Sequence, residues 1–190
     1  VVVGERDGVE ALFQLTRIMK VLDDIPHVNA VRLRSLKFNY EPQSFTPEVI
    51  DKLASMNRLT LAGPKRLEIE TQFLVPEEFT DEHRRLTRLL NNAGITVYNN
   101  TRLLGTPETI HLLAYKCREA GIEFHHLYVT GLDIQNRWNK ENPVALYDVI
   151  DIATRVRREG SGREVPRYII RTSLGEVDFG LSSRFVGEGE

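Results

Sequence analysis

Five amphipathic helical stretches alternate with five β-branched strand-like runs, and this alternation restricts the chain to a parallel α/β architecture. Leu12, Leu15, Met19 and Leu22 recur at helical spacing, and the run from Val28 to Leu33 follows as a strand. Thr46-Pro47 reads as an N-cap with proline at the first helical position, where the missing amide donor costs nothing. Thr106-Pro107 and Asn142-Pro143 repeat the pattern, whereas Ala93-Gly94 and Ala120-Gly121 read as helix ends that hand over at once to a strand beginning with Ile. The expected helices lie near 9–23, 46–57, 79–93, 107–120 and 143–158, and the strands near 28–35, 66–73, 95–100, 123–129 and 167–172.

Strands joined through single helices are parallel, and they either curl toward a barrel or wind into an open sheet. Arg66, Glu68, Glu70 and Gln72 alternate with Leu67, Ile69, Thr71 and Phe73, so one strand face is too polar for a dry barrel interior. A wide or incomplete barrel with a polar lumen accommodates this, as does a solvent-facing half sheet. In βα barrels the chemistry sits at the C-terminal strand ends. Gln72, Asn99, Asn100 and Tyr128 occupy such ends and are expected to face one cavity. An asparagine pair also terminates strands for purely local reasons, and a tyrosine is often core.

Composition excludes several classes. No stretch approaches the roughly 20 apolar residues of a membrane-crossing helix, and the first residues lack a secretory pattern, so the expected compartment is the cytoplasm. A net charge of −2 makes no general case for a nucleic acid or anionic membrane partner, leaving a small-molecule substrate. The one cysteine, Cys117, follows Ile110, Leu113 and Ala114 on an apolar helix face and reads as a buried hydrophobe. His125 and His126 are adjacent, point to opposite faces of a regular strand and so do not share a metal; no metal ligands are expected. Glu68 and Glu70 show no partner that would tune an acid/base pair, and the arginines at 155, 157, 158, 163 and 167 read as a solvated helix end and loop.

The segments HVNAVRLRS, TPEVIDKL, LEIETQFLVP, ITVYNNTRLL, FHHLYV and SGREVPRYIIRT run in the order and near the spacing of the lysine 2,3-aminomutase family, from about Leu12 to Val186. The chain resembles the second half of that family's α/β partial (βα)6 TIM-like barrel. The resemblance implies a radical S-adenosylmethionine enzyme, an isomerase carrying a [4Fe-4S] cluster on a CxxxCxxC loop and assisted by pyridoxal phosphate. The family's cluster loop precedes the matched region. Residues 1–190 are therefore expected to be one fragment, with 159–190 a C-terminal extension strand region, whose partner is the remainder of the same barrel, with homo-oligomers possible.

By the same resemblance, Gln72 stands at a family histidine and Asn100 at a glutamine near S-adenosylmethionine. Asn99 and Thr101 keep the pattern, and Tyr128 matches a tyrosine of the pyridoxal pocket. The departures matter more. Asp178 stands at the pyridoxal lysine, and a carboxylate cannot bond covalently to the cofactor's aldehyde, so pyridoxal phosphate is doubtful. Gly131 and Arg171 stand at two substrate-binding aspartates, so Arg171 is expected to bind a substrate carboxylate or phosphate instead of an amine. The parent is expected to abstract hydrogen from an amino-acid-like or acidic substrate. The alternative is a non-enzymatic ligand-binding or interaction domain that retains the barrel.

Overall fold

The computed structural model describes residues 6–60, 63–104, 106–162 and 164–178. Along the chain come α1 (Leu12–Asp23), β1 (Ala30–Arg34), α2 (Lys37–Tyr40), α3 (Pro47–Met56), β2 (Arg58–Thr60), β3 (Gly63–Thr71) and α4 (Asp81–Asn92). They are followed by β4 (Thr96–Arg102), α5 (Pro107–Ala120), β5 (Glu123–Thr130), α6 (Asp133–Glu141), α7 (Leu146–Glu159), β6 (Arg167–Thr172) and β7 (Gly175–Asp178). Strands β1, β3, β4, β5 and β6 are parallel neighbours in that order, β2 pairs antiparallel with the start of β3, and β7 folds back antiparallel on β6. The result is a curled half-barrel.

The Thr-Pro pairs do what their chemistry predicts. Thr46 Oγ1 accepts from the Val49 N–H and Thr106 Oγ1 from the Thr109 N–H, each satisfying one donor that the helix leaves open. Gly94 and Gly121, at φ of +73° and +78°, end α4 and α5 in the left-handed conformation that lacks a Cβ penalty. Asn142-Pro143 is a correction: Asn142 closes α6, and α7 starts only at Leu146, where Asp148 Oδ2 accepts from the Ala145 N–H. Helix α6 and strands β2 and β7 were not anticipated. Of the extension expected over 159–190, residue 163 and residues 179–190 lie outside the described residues.

The helices pack on one face of the sheet. Leu67, Ile69, Val97, Phe124 and Leu127 from the strands meet Leu86, Leu90, Leu113, Ile152 and Val156 from the helices, all buried. Burying each such side chain contributes about 1.5–3 kcal/mol against an exposed one. Cys117 is fully buried in this layer, and burial pushes its thiol pKa up. The opposite, concave face carries the polar half of the alternation, and no described helix is long and apolar enough to cross a membrane.

Candidate functional site: the concave face at the strand ends

The concave face begins as a ladder of ion pairs across β1 and β3. Arg32 lies 3.0 Å and Arg66 3.1 Å from the Glu68 carboxylate, and Arg34 lies 3.2 Å from that of Glu70. Glu68 is buried, accepts from Tyr98 Oη at 3.4 Å, and the Arg32 guanidinium sits 4.4 Å above the Tyr98 ring. Both glutamates therefore have cationic partners, contrary to the sequence expectation, and they serve to hold the strands in register.

The register between β4 and β5 shifts after Asn99: Asn99 faces Phe124, whereas Asn100 faces His126, leaving His125 as the extra residue of a bulge. The bulge corrects the expectation of opposed histidines. The two rings lie 4.0 Å apart by centroid, with Tyr98 4.9 Å from His125 and Tyr128 6.2 Å from His126. Burial lowers the His125 pKa to about 4, helped by His126 and Arg32, and burial followed by Arg167 lowers that of His126. Both imidazoles are neutral at pH 7 and offer one donor and one acceptor each. His126 Nε2 and Asn100 Oδ1, on register partners across the two strands, are buried without a hydrogen-bond partner among the described residues. Among the described residues no group of three or more His, Cys, Asp or Glu side chains could hold a metal ion.

The six residues singled out in the sequence divide between the two faces. By strand alternation Gln72, Asn100 and Tyr128 share the concave side with Tyr98 and Arg102. Gln72 Oε1 accepts from Arg102 Nη1 at 3.1 Å, and burial raises the Tyr128 pKa, with Glu176 adding to the effect. Arg171 lines a cavity of about 340 Å³ with Arg102, where β4 and β6 end. Asn99 and Thr101, fully buried, lie on the helix side. The Asn99 carboxamide is occupied there, accepting from the Phe73 N–H at 2.8 Å and donating to the Phe73 carbonyl at 3.2 Å. The expectation that Gln72, Asn99, Asn100 and Tyr128 face one cavity thus fails for Asn99. Arg102 was overlooked, although it follows Asn100 by two residues and so falls on the same face by period alone.

No family model matches the chain. The L-lysine 2,3-aminomutase of Clostridium subterminale is 29% identical over 160 residues, covering 82% of this chain. That of Acetoanaerobium sticklandii is 28% identical over 161 residues, covering 83% of it. The chain is similar to lysine 2,3-aminomutases over most of its length. It spans 36% of the length of each of these two relatives.

Gly131 and Arg171, expected from the resemblance to stand at substrate aspartates, meet in space. Gly131 has φ +99°, and a Cβ there would stand 1.9 Å from the Arg171 carbonyl oxygen, so only glycine permits this approach. Asp178, expected from the resemblance to stand at the pyridoxal lysine, lies in β7 beside Ile169 and accepts from Arg167 Nε at 2.8 Å. The hairpin has carried it back down β6, away from the strand end. The expected basic run is largely paired: Arg155 lies 2.9 Å from Asp151, and Arg158 3.5 Å from Glu159, while Arg163 lies outside the described residues.

Proposed function

We propose that this chain is the later half of the barrel of an aminomutase-like radical S-adenosylmethionine enzyme, which takes a hydrogen atom from an amino-acid-like or acidic small-molecule substrate. The observation that carries the reading is the similarity to L-lysine 2,3-aminomutases over 82% of the chain, a stretch that includes the strands bearing Gln72, Asn100 and Tyr128. The remainder of the barrel is its structural partner, with a cytoplasmic location and a possible homo-oligomer.

Cys117, the chain's one cysteine, is buried in the helix layer and does not fit a [4Fe-4S] cluster, which needs several converging thiolates. The cluster therefore belongs to sequence outside these residues. Asp178, tied to Arg167, does not fit covalent attachment of pyridoxal phosphate. S-adenosylmethionine fits better: the unpartnered Asn100 Oδ1 can accept from an ammonium or ribose hydroxyl, and neutral His126 beside it can donate or accept. When bound with a reduced cluster, that cofactor supplies the radical that removes hydrogen. Gln72, Asn100 and Tyr128 would orient it and the substrate; Asn99 and Thr101 would support the strand from behind.

A second reading, a non-enzymatic ligand-binding or interaction domain that retains the barrel, is favoured by the carboxylate at position 178. One experiment separates the two. The protein made from its gene with all native flanking sequence, loaded anaerobically with iron and sulfide and then reduced, is expected to convert S-adenosylmethionine to 5′-deoxyadenosine. The 190-residue chain alone is expected to show no stoichiometric cluster signal. A native-length protein that neither holds a cluster nor forms 5′-deoxyadenosine would overturn the enzyme reading.

A further inference from the structure

We propose that Arg102 and Arg171 form a seat for a single carboxylate, in the cavity where β4 and β6 end against the start of α6. Resting on the reading of the concave face as a substrate site, this inference names the substrate class as one ending in a carboxylate. The seat is built from both sides. Arg102 is half-buried, its Nη1 is aimed by the neutral Gln72 amide at 3.1 Å, and neither arginine has an ion pair among the described residues. Burial, then the nearby Arg34, lower the Arg102 pKa against smaller opposing effects of Tyr128 and Glu70.

The floor of the seat is rigid. Gln135, fully buried, donates through Nε2 to the carbonyls of Tyr128 (2.7 Å), Val129 (3.0 Å) and Leu103 (3.4 Å), pinning the first turn of α6 onto the ends of β4 and β5. The Gly131 contact pins the connecting loop against Arg171. The cavity walls are Leu132, Asp133 and Ile134 beside Gly131 and the two arginines. The two guanidiniums face the Asp133 carboxylate, and Glu176, the register partner of Arg171, and Glu70, near Arg102, offset their charge further, so little positive charge is left over. A monoanionic carboxylate suits so modest a charge better than a phosphate dianion does, and the two guanidiniums disfavour an ammonium between them. A guanidinium fork also matches the planar carboxylate with two parallel hydrogen bonds. Gln72 then acts as the positioning residue for Arg102.

The test is calorimetric titration of the protein with glutarate, inorganic phosphate and cadaverine (1,5-diaminopentane). Glutarate is expected to bind, phosphate more weakly, and cadaverine not at all. Arg171→Gln, at an exposed side chain, is expected to weaken glutarate about tenfold or more with an unchanged thermal midpoint. Arg102→Lys, which keeps charge but loses the fork, should weaken it similarly, and Gln72→Leu by less. No glutarate binding, binding in both arginine variants as tight as in the unaltered protein, or a preference for phosphate or cadaverine would overturn the inference. Because the titration needs no cluster, such a failure alongside 5′-deoxyadenosine formation would sink this seat and leave the proposed function standing.

Discussion

Replacing Gly131 with alanine is expected to cost about 3–5 kcal/mol of folding stability, among the largest effects of any single methyl group added to this chain. Two independent penalties add. The residue holds φ +99°, a region in which side-chain-bearing residues are strained, and the new Cβ would lie 1.9 Å from the Arg171 carbonyl oxygen, far inside van der Waals contact. The oxygen belongs to the backbone of β6, so relief requires moving either the β5–α6 connection or the strand itself. Denaturant unfolding checks this: a loss below about 1 kcal/mol would mean that the two strand ends do not meet as described.

Asn99→Ala is expected to destabilise by about 3 kcal/mol without altering what the concave face binds. The Asn99 carboxamide answers both backbone groups of Phe73, two residues beyond the end of the β3 ladder, so its removal strands a buried donor and a buried acceptor together. Asn99→Asp keeps the acceptor for the Phe73 N–H but turns a carboxylate oxygen toward the Phe73 carbonyl, so it should rescue little. If Asn99→Ala instead left the unfolding midpoint intact and abolished ligand binding, the asparagine would be a ligand contact and the assignment of faces would be wrong.

The contrast between Asn99 and Asn100 shows what strand periodicity makes legible. Composition and motif order place both at the end of β4, and the resemblance treats them alike; only alternation, anchored by Tyr98 on Glu68, sends them to opposite sides. The parallel order of the sheet was legible because Thr46 and Thr106 cap helices through local chemistry. Asn142-Pro143 carries the same local signal but loses to context, since α6 has already brought the chain to Asn142. Helix α6, DIQNRWNKE, escaped notice because its few apolar residues give no sustained stripe. Its position depends on Gln135 reaching three carbonyls on two strands, contacts that are distant in sequence. The His125 bulge was hidden for a related reason: a register shift is decided jointly by β4 and β5, and neither strand announces it alone.

The most direct test of the concave face as the binding site is a titration of the protein with S-adenosylmethionine, followed through the assigned side-chain amide resonances of Gln72, Asn99 and Asn100. Asn100, with an unpartnered oxygen on that face, is expected to shift most and Gln72 to follow. Asn99, locked to Phe73 behind the sheet, should stay within the small changes common to the core. A dominant shift at Asn99 with Asn100 unmoved would place the ligand on the other face and contradict the account.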